Sequence, residues 1–225
     1  MNQEENKKRV AQEAVSIIFD HLRDPIDIGI GTGTTVNYFI GTLTPSRHLI
    51  NRAVSSSSRS TQLLKAQGIE VVSANDVEKI VVYVDGADEV DSSFALIKGG
   101  GGAHTQEKIV TALADEFICL VDETKLVKQL GAFPVPVEVL SAARNAVIRE
   151  LRELGGEAVL RKDFVTEDGN LILDIHGLEV SNPDRLEVEI NSIPGVVEVG
   201  IFARNRPQMV LLGGEKGVEV LEKKY

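Results

Sequence analysis

The chain has 225 residues, a formal net charge of -10 and a single cysteine, a length that accommodates one large domain or a main domain with a smaller one. Its 24 basic residues are dispersed among 34 acidic ones, which excludes nucleic acid as the main partner because phosphate backbones reward clustered positive charge. One cysteine excludes a disulfide within the chain, and Cys119, inside F-I-C-L-V, reads as a buried structural thiol. The opening M-N-Q-E-E-N-K-K-R lacks an apolar h-region, and no apolar run approaches the roughly 20 residues of a membrane span. We therefore expect a cytoplasmic protein that acts on a small molecule.

Ala11, Val15, Ile18 and Leu22 recur at helical spacing, so residues 4–22 are expected to open the chain as an amphipathic helix. I-D-I-G-I-G (26–31) reads as a buried strand, Thr32-Gly33-Thr34-Thr35 as the turn into a helix, and L-I-N-R-A-V (49–54) as a second strand. Four serines (55–58) then lead into a helix that Gly68 ends. The same rhythm returns at 80–84 and at 117–121, and such alternation predicts a mainly parallel sheet flanked by helices, a Rossmann-like α/β architecture.

Pro134 and Pro136 change the grammar. The expected order becomes strand 135–139, helix 142–154, strand 158–161, strand 171–175, helix 183–191 and strand 196–202, the β-α-β-β-α-β pattern of a smaller ferredoxin-like α+β domain. After Pro207 the apolar M-V-L-L supplies one more strand, followed by a short helix expected from about Glu215. The domain reading is thus 1–132 plus 208–225 for the α/β part and 133–207 for the ferredoxin-like part.

The residues that carry chemistry concentrate between Val84 and Lys108, where Asp85, Asp88, Lys98, the glycines 99–102 and Glu107 occur together. D-G-A-D-E is open to two readings, a simple turn or a pair of working carboxylates. K-G-G-G-G is either a mobile surface loop or a place where backbone must approach a ligand closely. G-I-G-T-G-T-T can bring amide N–H groups and a helix N-terminus up to an anion, or can be a tight turn that only lets helix pack on strand. Its spacing fits neither the dinucleotide fingerprint nor the P-loop. No metal-binding spacing is present, and a metal site is not expected.

What favours function is convergence. In a parallel sheet, Gly31 to Thr35, the serines after Val54, Asp85 and Asp122 all fall at the carboxyl ends of strands, and Lys98, after its own strand, can join them. An anion cradle, several carboxylates and a lysine suit proton-transfer chemistry on a phosphorylated polyol or sugar.

Over essentially its full length the chain resembles the type A ribose-5-phosphate isomerase family, on G-T-G-T-T, A-V-S-S-S, Y-V-D-G-A-D-E, K-G-G-G-G-A-x-T-x-E-K, F-P-V-P-V-E-V and D-G-N-x-I-L-D. The resemblance implies interconversion of ribose 5-phosphate and ribulose 5-phosphate with no metal and no organic cofactor, in a homodimer or homotetramer. It implies substrate contacts from Thr32, Gly33, Thr34 and Thr35, from Asp85, Gly86, Ala87 and Asp88, from Lys98, Gly99, Gly100 and Gly101, and from Lys125, with Glu107 as the base. Lys7 is a further candidate for phosphate. Thr34 stands where the family often has serine, and His104 where it often has an aliphatic residue.

The expected mechanism is an aldose–ketose isomerisation through an enediolate. Glu107 moves the proton, Asp85 and Asp88 handle hydroxyl protons during ring opening, and Lys98 opposes the charge on the enediolate oxygen. His104, at a helix start, is expected to be a partly exposed packing residue without a catalytic part. Two other classes compete: a sugar-phosphate-sensing module of a transcription regulator, which lacks a separate DNA-binding segment, and a dehydrogenase, which the glycine spacing disfavours.

Overall fold

Buried β-branched runs alternate with amphipathic helices through the first half of the chain, and the computed structural model, which describes residues 3–223, turns that alternation into a seven-stranded sheet. Its elements are α1 (Gln3–Phe19), β1 (Ile26–Ile30), α2 (Thr34–Thr42), β2 (Ile50–Ser55), α3 (Ser58–Ala66), β3 (Val71–Val72), β4 (Ile80–Asp85), β5 (Glu89–Val90), β6 (Leu96–Ile97), α4 (His104–Leu113) and β7 (Ala114–Asp122). They continue with β8 (Val135–Val139), α5 (Arg144–Glu153), β9 (Glu157–Leu160), β10 (Leu171–His176), α6 (Pro183–Asn191), β11 (Val196–Val199), β12 (Ile201–Phe202), β13 (Met209–Gly214) and β14 (Gly217–Glu222).

The chain divides into two compact units: Met1–Gly86 with Gln106–Lys125 and Pro207–Tyr225, and Ala87–Thr105 with Leu126–Arg206. The segment 87–105 clusters with the second unit, although the sequence reading kept it with the α/β part. The reason is pairing: β5 and β6 form a three-stranded antiparallel sheet with β12, from the far end of the second unit.

In the first unit the strand order is β14-β13-β7-β4-β1-β2-β3, parallel except for β14. This is the doubly wound order, with the reversal between β1 and β4. Val10, Ala11 and Ala14 on one stripe of α1 pack with Ile28, Ile30, Phe39, Val84, Ile118 and Leu211 into one core, each large side chain contributing roughly 1.5–3 kcal/mol on burial. Cys119 is buried in β7.

The helix expected from about Glu215 is instead the edge strand β14, which returns antiparallel on β13. Gly217, the first residue of β14, has a φ of 123°, a conformation that favours glycine. The β-branched Val218 and Val220 suit the extended chain that follows.

The second unit holds a four-stranded antiparallel sheet in the order β11-β8-β10-β9, with α5 and α6 as its crossovers, which is the ferredoxin-like arrangement. Its separate core gathers Val135, Val137, Val139, Val147, Leu151, Leu173, Ile175 and Ile190, and extends to Ala95 and Ile97. The strand expected over 196–202 is broken at Gly200. There the chain leaves β8 and joins β6, with the Gly200 amide donating to the Pro136 carbonyl (2.7 Å) and its carbonyl accepting from the Lys98 amide (2.9 Å). A Cβ at Gly200 would overlap the Lys98 carbonyl oxygen, so only glycine permits the change of sheet.

Candidate active site

In the first unit the strand order reverses between β1 and β4, and in open α/β sheets the carboxyl ends flanking such a reversal form the ligand crevice. Gly31 to Thr35 follow β1 and Asp85 ends β4, so these two stretches meet at the reversal. Asp85 is fully buried. Its Oδ1 accepts from the amides of Thr32 (3.0 Å) and Gly86 (2.7 Å), and its Oδ2 accepts from the Tyr83 hydroxyl (2.5 Å). A Cβ on Gly31 would overlap the Asp85 carboxylate, which is the physical reason for glycine there. Gly29 is equally confined, by Ile80, Val110 and Tyr83.

The serine run completes this corner. Ser57 caps α3 by accepting from the Ser60 amide (3.2 Å), and its hydroxyl donates to the Thr32 hydroxyl (3.2 Å). Ser60 donates to the Gly31 carbonyl (2.7 Å). Gly33, with φ at 109°, is the N-cap of α2 and offers no side-chain cap. The first amides of α2 are thus left for a ligand, next to the hydroxyls of Thr32, Thr34 and Thr35, which is how a helix N-terminus binds an anion. Thr34 and Gly33 are exposed, while Thr32 and Thr35 are half-buried.

Glu107 sits in the first turn of α4 and is buried, 3% exposed. Burial, and then the negative charges of Asp85 and Glu107, push the Tyr83 phenol well above its ordinary pKa, so Tyr83 keeps its proton and remains a donor. Asp122 ends β7 and organises the turn that carries Lys125. It accepts from the Thr124 amide (3.0 Å) and hydroxyl and from Gln3 Nε2 (3.1 Å). Burial pushes its pKa up, but the hydrogen bonds from Thr124 and Gln3 outweigh that and hold the carboxyl below its ordinary value. Lys7 pairs with Glu4 at 3.1 Å, and Glu4 also accepts from Tyr38.

The second unit arranges the remaining candidates. Lys98 follows β6 and is 3% exposed, its ammonium 5.4 Å from the centre of the Phe202 ring. The glycine run makes a turn closed by the Gly102 amide donating to the Gly99 carbonyl (2.9 Å), and the Gly100 amide donates to Asp88 Oδ2 (2.8 Å). Gly86, Ala87 and Asp88 are half-buried, and Gly100 and Gly101 are exposed. His104, expected to be partly exposed, is fully buried. Its ring packs against Gly99, where a Cβ would crowd Nδ1, and its Nε2 donates to the Glu198 carbonyl (3.1 Å). Among the described residues, no group of three His, Cys, Asp or Glu side chains is placed to hold a metal ion.

The first unit therefore brings together Thr32 to Thr35, Asp85 and Gly86, with Glu107 near enough to act on the same tyrosine. The second brings together Asp88 and the glycines, with Lys98 immediately before them. Three residues that hold these stretches in place escaped the sequence reading. Tyr83 could have been found, because it lies two residues before Asp85 on one strand and so points to the same face. Glu138 and Arg161 could not, because their partners Thr105, Thr166, Asn170, Gly99, Gly100 and Asp174 come together only through the second unit's long-range pairing.

The profile of the family described as ribose 5-phosphate isomerase A (phosphoriboisomerase A) matches residues 52–217. Ribose-5-phosphate isomerase A of Bordetella petrii is 47% identical over 223 residues, covering 99% of each chain. The crystal structure of ribose 5-phosphate isomerase A from Neisseria gonorrhoeae superposes with a TM-score of 0.95 at 45% identity, covering 100% of this chain and 99% of that one. A D-ribose-5-phosphate isomerase solved in complex with phospho-erythronic acid superposes with a TM-score of 0.91 at 42% identity, covering 99% of this chain and 100% of the other. A likeness of this extent means that the chain belongs to the ribose 5-phosphate isomerase A family.

Proposed function

We propose that this protein interconverts D-ribose 5-phosphate and D-ribulose 5-phosphate in the non-oxidative branch of the pentose phosphate pathway, as a cytoplasmic homodimer or homotetramer. The observation that carries the reading is the loop Gly31–Thr35, ending in the uncapped N-terminus of α2 at the reversal of the sheet and tied to Asp85, in a chain of this family. The acid held by the relative is itself a phosphorylated polyhydroxy compound, which supports the same class of ligand here. Among the described residues no helix is long and apolar enough to cross a membrane.

In this reading the phosphate is held by the amides and hydroxyls of Thr32 to Thr35, with Lys125 and Lys7 as further positive charges. Asp85 and Asp88 serve ring opening, in which the anomeric hydroxyl loses a proton and the ring oxygen gains one. Asp85 takes part by exchanging its Tyr83 bond for one to the sugar. Glu107 then removes the C2 proton and delivers it to C1, while a proton passes from the C2 hydroxyl to the C1 oxygen. Lys98 opposes the charge on the enediolate oxygen, and the amides of Gly99 to Gly101 line the sugar. A carboxylate suits the base because it can accept and return a proton, whereas an ammonium has no lone pair to offer.

Mixing the protein with ribose 5-phosphate after exhaustive chelation, and following ketose formation, tests this. Conversion in both directions is the expected result. Binding without conversion would return the protein to the sensor class, and activity that vanished on chelation and returned only with a divalent ion would reassign the carboxylates as ligands. Sizing in solution checks the oligomer.

A further inference from the structure

The motif D-G-N-x-I-L-D lies outside the loops assigned to substrate, yet its last residue has a definite task. Asp174 on β10 accepts from Arg161 twice, Nε to Oδ2 at 2.9 Å and Nη2 to Oδ1 at 2.6 Å, a two-point grip that fixes the plane of the guanidinium. Arg161 Nη1 then donates to the carbonyls of both Gly99 and Gly100, each at 3.2 Å. The guanidinium carbon lies 5.3 Å from the centre of the Phe164 ring, and that ring fills the space a Cβ on Gly102 would need. All of these residues belong to the second unit.

The consequence for the glycine run follows from peptide geometry. In a trans peptide the carbonyl and the next amide point in opposite directions. Fixing the Gly99 carbonyl on Arg161 turns the Gly100 amide to the other side, where it meets Asp88 at 2.8 Å. Fixing the Gly100 carbonyl turns the Gly101 amide to that same opposite side. A glycine run otherwise has wide freedom about φ and ψ, and reordering it on each turnover would cost conformational entropy.

We infer that Arg161, oriented by Asp174, is a positioning residue for the isomerisation: it holds the carbonyls of Gly99 and Gly100 so that the amides of this run and Asp88 are preset toward the sugar. The inference rests on the isomerase reading of this chain. It predicts a defect in turnover rather than in folding, because Arg161 touches no reacting atom.

The test is steady-state kinetics on the full chain with ribose 5-phosphate, comparing wild type, Arg161→Ala, Arg161→Lys, Asp174→Asn and the control Arg185→Ala, whose exposed arginine pairs with Glu189 on α6. Loss of alignment of about an ångström costs on the order of a hundredfold, so Arg161→Ala is expected to lose about that much in kcat, with KM and melting temperature close to wild type. Guanidinium chloride at low millimolar concentration is expected to restore part of that kcat and to leave wild type unchanged. Arg161→Lys, which cannot make the planar two-point grip, is expected to remain impaired, and Asp174→Asn to fall between it and wild type. Should Arg161→Ala fail to fold, Arg161→Lys and Asp174→Asn carry the same test. Folded variants with wild-type kcat, or losses that follow the unfolded fraction and are not rescued by guanidinium, would overturn the inference. A wild-type protein that converted no ribose 5-phosphate would instead defeat the isomerase reading itself.

Discussion

The two backbone turns that serve the proposed site are held from opposite ends of the peptide group. The loop after β1 is gripped by a carboxylate: Asp85 takes the amides of Thr32 and Gly86, which leaves hydroxyls and the N-terminus of α2 for a phosphate. The glycine run after β6 is gripped by a guanidinium: Arg161 takes the carbonyls of Gly99 and Gly100, which turns the Gly100 amide to Asp88 and, in the proposed function, the Gly101 amide toward the sugar. The difference teaches how one small set of residues can present two kinds of donor. The guanidinium consumes carbonyls and so leaves amides on the other side, whereas the carboxylate fixes the loop by amides that precede the helix and leaves the helix's own first amides uncapped.

The sharpest way to break this comparison is at the charge that precedes the second turn. Lys98→Met keeps an unbranched apolar stem of nearly the same length but removes the ammonium, and with it the cation–π contact to Phe202. Loss of a preorganised electrostatic partner costs about 10²–10³ in kcat, with KM changed far less. An unchanged kcat would mean that the glycine amides alone stabilise the enediolate oxygen.

Tyr83→Phe removes a side-chain donor to Asp85 while leaving the amides of Thr32 and Gly86 in place. A hydrogen bond to a buried carboxylate contributes roughly 1.5–3 kcal/mol, so denaturant titration is expected to show a loss of that order, with kcat reduced by less than in Lys98→Met. A stability equal to wild type would show that Asp85 does not depend on the Tyr83 hydroxyl, and would weaken the picture of that hydroxyl as an anchor of the carboxylate.

The turn that presents Lys125 gives a pH test in the first unit. The hydrogen bonds from Thr124 and Gln3 hold Asp122 below its ordinary range against the effect of burial. A depressed carboxylate adds stability that is complete above the ordinary carboxylate range and is lost as pH falls through the lower folded value. The stability difference between wild type and Asp122→Asn is therefore expected to shrink steadily on acidification below about pH 4. A difference constant across that range would remove Asp122 from the account of how Lys125 is placed.

The smallest effect on activity is expected at His104. Its ring donates to the Glu198 carbonyl and packs on Gly99, so His104→Leu leaves that carbonyl without its donor and is expected to cost roughly 1–3 kcal/mol of stability. Turnover should remain within a few-fold of wild type. A loss above about a hundredfold, near 2.7 kcal/mol of barrier, would give the histidine a part in the reaction.

How much of this was legible in the sequence follows the same division. The loop Gly31–Thr35 and Asp85 could be placed because alternating strands and helices imply a parallel sheet, and a parallel sheet puts its loops on one edge. The glycine run could be noticed but not placed. Its strand β6 is two residues long, too short to show a period, and it finds its partner in β12, about a hundred residues later. Burial was misjudged where a long-range contact decides it: His104 is enclosed because the carbonyl of Glu198 comes to it from β11. The end of the chain was misread because G-G-E-K-G looks like a helix entry until β13 offers V-E-V-L an edge to pair with.

The central claim is that Glu107 alone carries the proton between C2 and C1, and deuterium exchange at C2 in heavy water tests it most directly. Glu107→Gln should bind ribose 5-phosphate with near-normal affinity, lose roughly three or more decades in turnover, as the absence of a general base implies, and leave the C2 proton unexchanged. Asp85→Asn, by contrast, should bind poorly but still exchange whatever sugar it holds in the open-chain form. Exchange at the wild-type rate in Glu107→Gln, together with its abolition in Asp85→Asn, would contradict the account and move the base to Asp85.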